Sequence, residues 1–211
     1  MHTDHEMRRR IFFAGAAFEC ALGLLALALG WISNVPTGAM LASELTDLHR
    51  LPTNLAIGIA AAIPMFAGLL LTERIDWAPL TDLRDLINGY VVPLFRNLSL
   101  LERFCLAAAA GFGEELLFRG WLQLGAAVLW PGWPGLILGI AMSAVLFGIC
   151  HRLTTTYAVM AALISVYLSL LMVWSGSLLA VIVTHAFYDF LALVYLVPAN
   201  QRPRIDADKG Q

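Results

Sequence analysis

Three short stretches of this chain hold residue types that do chemistry, each pair spaced by one helical turn. In "GFGEELLFRG", Glu115 and Arg119 stand four residues apart, with Glu114 beside the first of them. In "FGICH", Phe147 and His151 share that spacing, and in "HAFYD" so do His185 and Asp189. Residues at i and i+4 are neighbours on a helix surface, so Glu115 and Arg119 form a carboxylate–guanidinium pair that lowers its own burial cost. Successive residues lie about 100° apart around a helix, which points Glu114 elsewhere and leaves it free for another task. A glutamate near two histidines and an aspartate suits polarising a water molecule, with or without a metal ion. His185, one turn from Asp189, suits being held in one tautomer and donating to a developing oxyanion.

These groups sit in a very apolar chain. Its 211 residues are 60% hydrophobic and 13% charged, with a mean hydropathy of +0.77. A soluble domain carries about 25% charged residues, and several apolar runs here reach the length that crosses a ~30 Å hydrocarbon core. The fold class expected is therefore all-α: a polytopic membrane helical bundle of about six transmembrane helices. The spans predicted are 11–31, 54–72, 101–129, 135–151, 157–174 and 178–197, the third long enough to be tilted or interrupted. The run "IFFAGAAFECALGLLALALGW" after Arg8, Arg9 and Arg10 exceeds the apolar core of a signal peptide and reads as a retained first helix. Pro36, Gly38 and Pro52 mark 32–53 as an irregular external loop. Residues 73–100 read as an interfacial amphipathic segment with a break near Gly89 and Pro93.

Charge placement sets the orientation. With six spans, the Arg and Lys residues collect on one side, apart from Arg50 on the other and Arg119 within a span. That asymmetry puts both termini in the cytoplasm. Counted at 1.5 Å per residue from the external turns, Glu114 lies about 22 Å deep, His151 about 25 Å, Asp189 about 18 Å and His185 about 12 Å. A shared site toward the cytoplasmic half is geometrically open to them. Ionisable residues at such depth are costly and face a bundle interior or cavity. Glu19 stands by itself, roughly 13 Å of helix from Arg10, and reads as structural or interfacial. Cys20, Cys105 and Cys150 fit neither a zinc pattern nor a disulfide framework and read as small buried hydrophobes. No basic arm or RNA-binding pattern points to nucleic acid.

E-E-x-x-x-R, F-x-x-x-H and H-x-x-x-D, in that order on successive helices, resemble the CPBP (CAAX protease and bacteriocin-processing, or Abi) family of intramembrane proteases, related to the type II CAAX prenyl endopeptidase. The resemblance covers about residues 100–197, including "LFRGWL" and "WSGSLLAVIVTHAFYDF". It divides the chain into residues 1–99 with two spans and the amphipathic segment, a catalytic core at 100–197, and a cytoplasmic tail at 198–211. It implies that Glu114 and His151 activate the hydrolytic water. His185 and Asp189 would complete the site by orienting water, stabilising the oxyanion or ligating a metal, and Arg119 would be structural, paired with Glu115. Asp189 stands where many members have Asn, which favours a histidine partner or metal ligand over an oxyanion donor.

A zinc ion or other divalent metal, with Glu114, His151, His185 and Asp189 as candidate ligands, suits the donor types, though not as an H-E-x-x-H helix. The expected substrate is a peptide or membrane protein within the lipid bilayer, and the compact chain suggests a bacterial inner membrane. Two other classes compete. Intramembrane acids and histidines also mark proton-coupled transporters, which often show duplicated halves that are not evident here. A non-catalytic immunity or scaffold protein is the third reading.

Overall fold

The computed structural model describes residues 2–197, with side chains from residue 6 onward. The tail expected at 198–211 lies outside the described residues. Helices α1 (His2–Ile32), α2 (Thr37–Thr46), α3 (Leu51–Thr72), α4 (Ala78–Leu86) and α5 (Val92–Phe95) build the first half. Helices α6 (Leu100–Glu115), α7 (Leu124–Leu129), α8 (Trp133–Cys150), α9 (Thr155–Ser175) and α10 (Leu178–Leu196) build the second. No strand occurs among the described residues.

The chain is a helical membrane bundle turned inside out relative to a soluble protein. Leu24, Ile63, Ile137, Val145 and Leu163 face outward, whereas Glu115, Arg119, Ser143, Ser165, Ser169 and Thr184 are fully enclosed. Lipid accepts the first set, and only partnered polar groups tolerate the second. Trp31, Trp130, Trp133 and Trp174 are exposed at helix ends that alternate along the chain onto one rim of the bundle. Such a girdle marks a membrane–water interface.

Five described helices are long and apolar enough to cross a bilayer: those within 6–32, 51–72, 133–150, 155–175 and 178–196. The remaining expected span, 101–129, is one helical path of three pieces, with a π-helical stretch at Leu116–Gln123 joining α6 to α7. Glu102, Arg103, Glu114, Glu115 and Arg119 make it too charged to match the others, and Glu114 and Glu115 are buried among its neighbours.

Three expectations need correction. Cys20, Cys105 and Cys150, expected to be buried, are all exposed on the bundle. The linker 32–53 is not irregular, because α2 occupies Thr37–Thr46 within it. Pro36 precedes its first turn, and "AMLASEL" that follows contains good helix formers that bury Leu41. The break near Gly89 and Pro93 is instead a π-helical turn, Ile87–Val91, that keeps the backbone helical from α4 into α5. Pro93 falls in the first turn of α5, where its missing N–H costs little.

Helix α10 is central, packed against α3 and α6, while α8 pairs with α9 and α1 lies along α6. Both ends of α10 are gripped by side chains from elsewhere. At its N-terminus the Glu44 carboxylate accepts from the backbone N–H groups of Leu178 (2.9 Å) and Leu179 (3.0 Å) and from the Ser177 hydroxyl. At its C-terminus the buried Arg103 guanidinium donates to the carbonyls of Leu193 and Val197. An anion at the first turn and a cation at the last both oppose the helix dipole. The helix carrying His185 and Asp189 is thereby fixed in axial position.

Candidate active site

Two glycines explain how the acids on α6 reach their partners. A Cβ at Gly111 would sit 2.7 Å from Ala186 N and 2.9 Å from Ile182 O, so α6 and α10 touch backbone to backbone there. A Cβ at Gly113 would sit 2.2 Å from Glu19 O, so α1 crosses α6 just as closely. Glu114 and Glu115 follow at once, and the π-helical stretch begins one residue later. Such stretches widen the helix and recur at functional sites.

Glu115 is the hub of a sealed network. Its Oε1 accepts from Arg119 Nη1 at 2.8 Å and from His185 Nδ1 at 2.7 Å, and neither Glu115 nor Arg119 has any exposure. Arg119 Nη2 also donates to the Ser165 carbonyl (2.8 Å) and hydroxyl (2.7 Å) on α9. Its guanidinium lies 5.2 Å from the centre of the Phe147 ring. Spacing suggested that Glu115 serves Arg119; the structure adds His185, seventy residues away.

The His151 ring stacks on Phe147 at 4.2 Å and 18°. His151 Nδ1 lies 2.9 Å from the Phe147 carbonyl. A carbonyl only accepts, so Nδ1 carries the hydrogen and the neutral ring keeps its lone pair on Nε2. Nε2 faces Glu114 Oε2 at 3.7 Å. That is too long for a direct hydrogen bond, yet a single water at ~2.8 Å from each atom would fit. Glu114 Oε2 is buried and has no hydrogen-bond partner within the protein. His185 Nε2 lies 3.4 Å from Asp189 Oδ2.

Glu114 and Asp189, one from each pair, line a cavity of about 460 Å³ together with Tyr157, Tyr188 and, from α1, Glu19. All seven residues singled out by spacing fall in this region. Glu19, read as solitary, is part of it, and Ser165 and the two tyrosines had no sequence signal. For Glu19 a signal existed: an unexplained acid in mid-span, opposite small residues on α6.

The metal expectation can be weighed on donors. His185 Nδ1 is taken up by Glu115 Oε1 at 2.7 Å, and its Nε2 lies 3.4 Å from Asp189 Oδ2. Among the described residues, no three His, Cys, Asp or Glu side chains converge on one point as metal ligands. The set Glu114, His151, His185 and Asp189, as arranged, does not fit a tetrahedral zinc.

A helical membrane protein with a carboxylate–histidine pair sealed inside its bundle is the class these observations define. Residues 96–191, just under half of the chain, match the family model described as Type II CAAX prenyl endopeptidase Rce1-like. Over that segment the chain is similar to the type II CAAX prenyl endopeptidases. No curated protein and no solved structure matched.

Proposed function

We propose that the protein is an intramembrane endopeptidase that hydrolyses a peptide bond with a water activated by Glu114 and His151. The observation that carries this reading is the 3.7 Å gap between His151 Nε2 and Glu114 Oε2, at the edge of the cavity. A water in that gap gives its proton to Glu114 as its oxygen attacks the substrate carbonyl carbon. His185, anchored through Nδ1 on Glu115, turns Nε2–H toward the carbonyl oxygen as that oxygen gains negative charge. Asp189 steadies the same ring, in keeping with an acid rather than an amide at this position. Collapse of the tetrahedral intermediate breaks the C–N bond, and the proton held by Glu114 passes to the leaving amine. The products are a carboxylate and a new amino terminus.

Every step uses this chain's own residues, and none is routed through a metal. Incubation with a strong divalent-metal chelator is therefore expected to leave turnover intact. The expected setting is a bacterial inner membrane, with a peptide or membrane-protein substrate. The deciding experiment is cleavage of membrane-extract peptides by purified protein and by Glu114→Ala and His151→Ala variants. Both variants should be inactive yet folded and membrane-inserted; full activity in both would end this reading.

A further inference from the structure

Glu19 lies outside the residues that match the protease family, yet it shares the cavity with Glu114 and Asp189. Its Oε2 is sealed from solvent and has no hydrogen-bond partner within the protein, and the same holds for Glu114 Oε2. Glu114 itself retains only 9% of its accessibility. Carboxylate oxygens accept and cannot donate to each other while ionised, so both need a donor from elsewhere.

The nearby cations are already engaged. Arg119 is held by Glu115 and Ser165, and His185 by Glu115 and Asp189. Arg84, at the cavity wall, donates to the carbonyls of Thr72, Glu73 and Ile75. Much of the remaining wall is aliphatic, with Leu69, Leu83, Ile87, Leu106 and Leu196 among its residues. A largely aliphatic cavity that holds an unpartnered acid matches one kind of side chain, a long methylene stem with a cationic head.

We propose that this cavity selects substrates with a lysine or arginine side chain beside the scissile bond, and that Glu19 receives the cationic head. The inference rests on the endopeptidase reading. The stem covers the aliphatic wall, and the head supplies charge-assisted donors to an acid that has none. Glu19 thus acts on choice of substrate, while Glu114 acts on the water.

The test uses the full chain in lipid nanodiscs and a matched pair of apolar peptides, one with a central lysine and its twin with norleucine. The wild-type kcat/KM ratio, lysine over norleucine, should be about tenfold or more, and Glu19→Gln should bring it near unity, a change of ~1.4 kcal/mol per tenfold. Glu19→Asp should keep most of the preference. A ratio is insensitive to partial loss of folded protein. Fluorescence anisotropy of the same peptides on the inactive His151→Ala protein, with and without Glu19→Gln, gives a second ratio free of turnover.

A wild-type ratio near unity, or one that Glu19→Gln leaves unchanged, overturns the proposal. The two readings fail separately. Loss of cleavage in Glu114→Gln without any lysine preference sinks only the selectivity. A Glu19-dependent lysine preference in binding, with full cleavage by Glu114→Gln, sinks only the catalytic assignment.

Discussion

Glu115→Gln tests the network at its hub. The carboxylate takes two charge-assisted bonds through one oxygen, from Arg119 and from His185. A hydrogen bond to a charged group contributes about 1.5–3 kcal/mol, and a neutral one about 0.5–1.5. An amide oxygen in the same place keeps both contacts as weaker ones, a loss of ~1–1.5 kcal/mol for each and ~2–3 kcal/mol in all. Cutting a buried ion pair outright costs about 3–5 kcal/mol. The variant should fall short of that because Ser165 still accepts twice from Arg119. Chemistry should suffer as well, since the amide cannot hold the His185 ring as firmly, and loss of an orienting partner typically costs about 10–100-fold. Unfolding in mixed detergent micelles and peptide turnover measured on one preparation give both quantities. Stability within ~0.5 kcal/mol of wild type, the range of an inconsequential surface change, would refute the energetic reasoning. Reduced stability with a wild-type kcat would show that Glu115 serves Arg119 alone.

Other outcomes follow from individual contacts. Glu114→Gln should lower kcat by about 10²–10⁴ while the thermal transition holds, because the Oε2 it alters bonds nothing in the protein; scanning calorimetry and turnover check the pair of effects. Glu44→Ala strips three acceptor contacts from the start of α10 and should destabilise by about 1–2 kcal/mol, seen as a lower unfolding midpoint in detergent. Gly113→Ala places a methyl 2.2 Å from Glu19 O. Overpacking of this kind costs about 1–3 kcal/mol, and a cysteine crosslink between α1 and α6 should form more slowly in that variant.

How much of this was legible beforehand depends on whether a contact is local. A helix repeats every 3.6 residues, so Glu115–Arg119, Phe147–His151 and His185–Asp189 could each be read as pairs from spacing, and each pair is in contact. The apolar runs likewise announced a membrane bundle. What spacing cannot carry is which faces of different helices meet. The bond from His185 to Glu115, the bonds from Arg119 to Ser165 and the entry of Glu19 into the cavity are all contacts between helices. The helix at Thr37–Thr46 escaped because Pro36, Gly38 and Pro52 around it resemble loop chemistry.

Yet the pairing of helices had a trace in the residues flanking the acids. Gly111 and Gly113 are two positions apart, about 200° around the helix, so they open nearly opposite faces of α6. One face admits the backbone of α10, and with it His185; the other admits the backbone of α1, and with it Glu19. A doubled acid flanked upstream by alternating glycines therefore marks a helix with a close neighbour on either side. Under this reading Glu115 looks to α10 for chemistry's scaffold, and Glu114 stands where α1 can bring a second acid beside it. The division between the two acids, first drawn from their 100° separation, rests on what each one meets: Glu115 takes Arg119 and His185, and Glu114 lines the cavity it shares with Glu19.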